Sequence, residues 1–228
     1  MEVNSRTFKQ LAGDALSREW LDTFYKRKFS GTLLAERFDC MERLETEDDL
    51  KKLIKADTWM MDILKTVDQL QLPDCWVCAG FIRSKVWDTL HEFSDRTPIA
   101  NIDVIYFDTW LTSETIEKQY ERQLRKYLPN EPWSVKNQAR MHLINNSKPY
   151  QCSTDGIAHF PETPTAIGIR LNNDLLEMTA PYGINHLVAG IVSPTPYFQK
   201  DERMYEIYKQ RIHNKQWKST WPKLKIFD

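Results

Sequence analysis

Glycine is scarce in this chain, at seven of 228 residues. Each is expected to sit where the backbone requires it. No G-x-x-x-x-G-K run, G-x-G-x-x-G fingerprint or G-x-S-x-G elbow occurs, which removes the P-loop, dinucleotide-fold and α/β-hydrolase readings. Cysteine is sparser still, at four. Cys75 and Cys78 spell C-x-x-C, but no second pair or nearby Cys/His partner completes a tetrahedral zinc site. The run around them reads as a strand, on which residues three apart point to opposite faces, so they are taken as buried, reduced thiols. None of the five His forms an i,i+4 pair, so the helical zinc-protease motif is absent. Neither sign of charge is in excess: 31 Lys and Arg face 32 Asp and Glu. That balance argues against strong global attraction to nucleic acid or an anionic membrane and leaves room for a local basic patch. No run approaches the length of a transmembrane helix, and "MEVNSRTFKQ" lacks the apolar centre of a signal peptide. A cytoplasmic protein is expected.

Aromatic residues are plentiful: eight Trp, nine Tyr and ten Phe, enough to fill a sizeable core. The length suits one large domain, or one domain with a helical appendage. Residues 1–45 carry short helical patterns and no motif, and are read as an N-terminal helical extension to a domain over 46–228. From Thr46, "TEDDLKKLIKADTWMMDILKTVDQL" places Leu50, Ile54, Met61, Leu64 and Val67 on one helical stripe, with Thr46 as its cap and a break at Asp57-Thr58. "CWVCAG" reads as a short strand, "FIRSKVWDTLHEF" as a helix and "IDVIYF" as a second buried strand. "SETIEKQYERQLRKYL" reads as a helix capped by Ser113. "PWSVKNQARMHLI" reads as a third strand, and "TAIGIRL", "NND" and "LLEMTAP" as a hairpin. The remainder from Tyr182 is mostly helical. This order predicts an α/β or α+β domain with a mixed sheet and C-terminal helices.

Two places can carry chemistry. At "AGFIR", a strand ends in Gly80 and a helix opens, exposing backbone N–H groups that favour an anion such as a phosphate. Arg83, one turn in and next to Ser84, can add a charge-assisted contact. The same residues also fit an ordinary tight turn. In "NIDV", Asn101 and Asp103 share one face of a strand. Two oxygen-bearing side chains there can hold Mg²⁺, or they can merely cap a strand end. In "SVKNQARMH", strand alternation would put Ser134, Lys136, Gln138, Arg140 and His142 on one face. That face is either solvated or the floor of a nucleotide cleft, with Lys136 and Arg140 neutralising phosphates and Gln138 reading a base or sugar.

The combination resembles the polymerase-β-like nucleotidyltransferase superfamily: a [GA]-G-x-[IV]-R turn, a helix, then a strand of x-h-D-h pattern. "AGFIR" is similar to the turn of tRNA CCA-adding enzymes. With "TPIANIDVIYFD", "PWSVKNQARMH", "FPETPTAIGIRL" and "APYGINHLV" following in order, the chain resembles, over roughly residues 48 to 226, an uncharacterised bacterial family of nucleotidyltransferase-like proteins. The resemblance implies that the turn holds a nucleoside triphosphate. It also implies that the acids of the next strand hold Mg²⁺, and that a nucleoside monophosphate passes to an acceptor the sequence does not identify.

The chain departs from that pattern at the site itself. Where the family usually carries the first Asp of the strand, this chain has Asn101. Ser134 and Asn185-His186 stand where relatives tend to carry further acids. Asp108, at odd spacing from Asp103, is expected to cap the strand end or the next helix. Asp88 faces away from the Gly80 turn, and Glu162 can reach the site from a loop. Two readings therefore stand. One is a Mg²⁺-dependent nucleotidyltransferase using Gly80, Arg83, Ser84, Lys136 and Gln138 for the nucleotide and Asp103 with Asn101 for the metal. The other is a catalytically degenerate nucleotide- or protein-binding module on the same scaffold.

Overall fold

A computed structural model describes residues 44–227; the extension expected over 1–45 lies outside the described residues apart from its last two. Helix α1 (Glu47–Lys55) opens on a reciprocal capping box between Thr46 and Asp49. Helix α2 (Thr58–Asp68) opens on Asp57, whose carboxylate accepts from the Met60 N–H. The break resets the helical phase. Met60 and Ile63 are therefore buried beside Leu50, Ile54, Leu64 and Val67, while Met61 of the expected stripe is only half-buried. Strand β1 (Trp76–Cys78), helix α3 (Gly80–Leu90), strand β2 (Ile102–Tyr106) and helix α4 (Glu114–Tyr127), the last capped by Ser113, follow as read.

Strand β3 (Trp133–Asn137) is shorter than expected. Asn137 ends it. Its buried amide oxygen accepts from the Ala139 N–H at 3.0 Å and the Asp108 N–H at 3.1 Å, and its amide nitrogen donates to the Asp108 and Leu111 carbonyls. A side chain that caps this way favours a helix start over a continued strand, and α5 (Gln138–Asn145) begins there. The alternation from Ser134 to His142 is thus not a strand face: Gln138, Arg140 and His142 are helical. Helix α6 (Ser153–Ala158) follows. The hairpin of β4 (Gly168–Asn172) and β5 (Leu175–Thr179) turns through Asn173 and Asp174, both at positive φ, the geometry of a two-residue hairpin loop. The C-terminal part holds short helices α7 (Asn185–Val188) and α8 (Pro196–Gln199), the longer α9 (Glu202–Lys215) and α10 (Trp217–Thr220). It also holds a parallel pair that the reading misses, β6 (Ile191–Val192) with β7 (Lys225–Ile226). Two-residue strands carry no periodicity to read.

The five-stranded sheet has the order β3-β2-β1-β4-β5. Strand β2 runs parallel to β3, and the other pairs are antiparallel. It is the mixed sheet of an α/β domain. One face (Val77, Ile102, Val104, Val135, Ile169) packs on α1–α3 in the main core. The other carries Trp76, Cys78 and Ile105 under a smaller apolar cap that includes Ile157, Ala166, Phe160 and Tyr182. Asp103 is the register partner of Cys78 on one side and Ser134 on the other, and strand alternation puts it on that second face. Cys75, Cys78 and Cys152 are free thiols. Burial pushes Cys75 up to about 12 and Cys78 well above its ordinary value, so neither is a nucleophile at neutral pH. Among the described residues no helix is long and apolar enough to cross a membrane.

Candidate anion site at the start of helix α3

The strand-to-helix turn is built on Ala79. Its N–H donates to the Ile167 carbonyl at 3.1 Å, and its backbone sits at φ 57°, ψ −118°. That region is comfortable only for glycine. Gly80 itself has no such demand. A Cβ there would stand 3.6 Å from Arg83 Nη2, between the helix N-terminus and the guanidinium. What the glycine leaves open is therefore space in front of a cation. No side chain caps this helix, so the first N–H groups of its opening turn lack an intrahelical acceptor.

Arg83 is only 8% exposed. Its Nη1 donates to Thr165 Oγ1 at 2.9 Å. The guanidinium lies over Trp217 at 4.4 Å and Trp87 at 5.0 Å. Its Nε is buried without a hydrogen-bond partner. Burial pulls it down to about 10, against the pull of Glu162 and Asp103. Ser84 is buried one turn below Gly80.

Asn101 and Asp103 share a face as read: the Asn101 amide donates to Asp103 Oδ1 at 2.5 Å. Burial pushes the Asp103 carboxyl up to about 6, while Arg83, the Ser134 hydroxyl, Arg211 and Lys215 pull it down. Glu162 does come to the site. It is fully buried, one oxygen accepts from Arg211 Nε, and the other has no partner. Asp88 faces the opposite end of α3, accepting from Thr97 and Trp221. Asp108 caps the loop after β2 through the Trp110 and Leu111 N–H groups. His186 shares a hydrogen bond with Thr163 at 2.8 Å.

The remaining sequence candidates are engaged elsewhere. Lys136 lies 3.4 Å from Glu117 and 4.0 Å from Glu114 of α4. Gln138 is buried against Gly156, where an added Cβ would come within 2.5 Å of its Oε1. Arg140 holds Glu117 through two bonds of 2.7 Å. Conversely, Arg211, Lys215 and Trp217 belong to the site and lie outside the motifs, and Thr165 lies within the "FPETPT" block without having been singled out. Arg211 and Lys215 stand at i,i+4 on α9, a spacing common to many solvated helices and no signal by itself.

The donor set does not fit the Mg²⁺ that the resemblance implies. Mg²⁺ favours carboxylate oxygens, and among the described residues no three His, Cys, Asp or Glu side chains converge on a point a metal ion could occupy. Asp103 is the one carboxylate of the pair, Asn101 turns its amide nitrogen toward it, and three cations act on it.

The class of this domain, a mixed five-stranded sheet with a glycine turn opening onto a buried arginine, is nucleotidyltransferase-like. The comparisons agree. A family model described as nucleotidyltransferase matches residues 65–226, and the chain belongs to that family. A structure solved by NMR and described as revealing a CCA-adding enzyme head domain is similar at TM-score 0.70 and 33% identity, over 80% of this chain and 96% of that one. No curated protein matches.

Proposed function

We propose that the protein binds a nucleoside triphosphate on its nucleotidyltransferase scaffold, with the phosphates at the start of α3, and that its transfer chemistry is degenerate at Asn101. One observation carries this. The bare Cα of Gly80 opens onto Arg83 Nη2, and Arg83 Nε is buried without a partner. Burying a guanidinium is costly unless its donors are used, and a phosphate is the acceptor that suits both the fork and the helix N-terminus. The free thiols fit a reducing, cytoplasmic setting. The near-neutral net charge gives no support to a long nucleic acid as the acceptor of any transfer.

Isothermal titration of the folded chain with each nucleoside triphosphate tests the binding. The Gly80→Ala variant should keep its melting temperature and bind about tenfold or more weakly, because the added methyl, 3.6 Å from Arg83 Nη2, takes the space in front of the guanidinium. Absence of heat with every nucleotide overturns the reading. Family membership favours a second one, Mg²⁺-dependent transfer of a nucleoside monophosphate to a hydroxyl with release of pyrophosphate. Pyrophosphate release separates the two. Under the first, the parent is silent and Asn101→Asp, which restores the missing acid, gains Mg²⁺-dependent release. Robust release by the parent establishes the second.

A further inference from the structure

Two cations of α9 stand beside the Gly80 turn. Arg211 reaches Glu162 with Nε and keeps 35% of its side chain exposed. Lys215 lies one turn further along the same helix and is exposed, and one turn apart means one face. Two residues beyond it, Trp217 lies over the Arg83 guanidinium at 4.4 Å. The end of α9 is thereby fixed against the residue that faces Gly80. Arg83, Arg211 and Lys215 all act on Asp103, and both α9 cations act on Arg83's neighbourhood as well. Three cations thus face two carboxylates, Asp103 and Glu162, at the N-terminus of an 11-residue helix. A dication brought here meets three like charges, and of the two carboxylates Glu162 is already paired with Arg211. An anion meets an excess of positive charge and a helix dipole of the right sign.

One buried atom points the same way. Arg83 Nε is without a hydrogen-bond partner, and such a leftover donor in a packed interior marks a ligand or a strain reservoir. Arg83 supplies a donor that a phosphate oxygen satisfies. Glu162 holds Arg211 in place before the ligand arrives.

We infer that Arg83, Arg211 and Lys215 hold the phosphate groups of the ligand without a divalent cation, α9 supplying the positive charge that a metal ion would otherwise bring. This rests on phosphate binding at the Gly80 turn. It adds two residues that the sequence motifs do not name, and it explains how a site with Asn101 in place of an acid still serves a triphosphate.

The test is isothermal titration of the full chain with ATP, CTP, GTP, UTP and inorganic triphosphate, each in excess EDTA and again in excess MgCl₂. Wild type should bind in EDTA at least as tightly as in Mg²⁺. Lys215→Gln alters an exposed side chain and should keep the wild-type melting temperature, whereas Arg211→Gln leaves the buried Glu162 carboxylate without its cation and should lower it; each should weaken binding in EDTA by about tenfold in the folded protein. Glu162→Gln removes a competing negative charge and should tighten it. Binding only in Mg²⁺ overturns the inference, as does affinity within about twofold of wild type in both α9 variants. If inorganic triphosphate binds in EDTA and weakens in the variants while no nucleotide binds, the cation clamp stands and the nucleotide reading fails. If no phosphate compound binds under either condition, both fail.

Discussion

Two sets of buried carboxylates flank the same sheet, and they are finished to different degrees. At the free edge of β3, Glu117 and Glu121 of α4 take the place of a missing strand. Glu117 accepts from the Asn137 N–H at 2.8 Å and Glu121 from the Val135 N–H at 3.2 Å. Those are outward-pointing donors of an edge strand, which otherwise invite another chain. The remaining oxygens are also used, by Arg140 and Lys136 on Glu117 and by Lys118 on Glu121. At the start of α3, by contrast, Glu162 and Arg83 each keep a buried atom with no partner, and the backbone at Ala79 sits in a glycine conformation. Both clusters bury charge. Every carboxylate oxygen of the first is engaged, so it acts as architecture. The second is open, and an open network beside a helix N-terminus is what a ligand completes.

The largest expected effect breaks the closed side. Glu117→Ala strands Arg140, Lys136 and the Asn137 N–H together. Removing one partner of a buried pair costs about 3–5 kcal/mol, and urea denaturation should show a loss of that order with nucleotide affinity unaffected in the fraction that remains folded. A loss below about 1 kcal/mol, the range of an exposed pair, would mean the edge is not held this way.

The two sides should also answer to pH in opposite directions. Burial pushes Glu117 up, but Arg140 and the Asn137 N–H outweigh it and hold the carboxyl below its ordinary range. Its contribution is present above the unfolded-state value and lost as pH falls through the lower folded value. Asp103 is raised to about 6, so its contribution is full below the ordinary carboxylate range and lost as pH rises through about 6. Asp103→Asn, neutral at every pH, should match wild type near about pH 4. It should exceed it by about 1–2 kcal/mol at neutral pH, a figure reduced for the solvent reaching this half-buried group. Paired stability curves decide it: equal stability across the range would show that ionised Asp103 is already well compensated.

How much of this was legible in the sequence follows from range. The caps at Thr46 and Ser113 and the break at Asp57-Thr58 act within one turn, and the Asn173-Asp174 loop acts within one hairpin, so they read directly. The Gly80 turn and the Asn101–Asp103 pair also lie within one strand-helix-strand unit, and their spacing points to the family. The third strand fails for a local reason: Asn137 falls in line with the apolar Val135 and Ala139 as one polar position in a strand pattern, and only its side-chain bonds to Ala139, Asp108 and Leu111 reveal it as a cap. Arg211, Lys215 and Trp217 fail for a distant one. They reach Arg83 by the docking of α9, and no spacing within α9 says which face meets the sheet. Lys136 and Gln138 err the other way, as polar residues on plausible faces that α4 and Gly156 already occupy.

Strain offers a smaller lever on the open side. Ala79 is the positive-φ residue of the α3 turn, whereas no residue from Glu114 to Asn137 adopts positive φ. Relief of a backbone outlier is worth about 1–3 kcal/mol. The freer unfolded glycine and the lost contact of a buried methyl each take back about 0.5–1 kcal/mol. Ala79→Gly should therefore raise stability by up to about 1 kcal/mol, read as a higher denaturation midpoint at unchanged slope. A destabilised variant would show that the methyl's packing outweighs the strain.

The smallest expected change discriminates best. Glu162 is as buried as Glu117, each 0% exposed. Burial alone therefore predicts that Glu162→Gln is severe. The hydrogen bonds predict otherwise. One oxygen of Glu162 serves Arg211, whose half-exposed side chain can return to water, and the other oxygen serves nothing. The amide keeps the shape, and it removes a buried charge whose desolvation is compensated on one side only. The lost ion pair and the relieved desolvation nearly cancel, for a net change below about 0.5 kcal/mol. Urea curves of Glu162→Gln and Glu117→Ala measured side by side test it. If the two losses are comparable, Glu162 belongs to the architecture, and the open atoms at Arg83 lose their value as a sign of a ligand. If Glu162→Gln is near neutral while it alters phosphate affinity, the difference between the two carboxylate clusters is one of function.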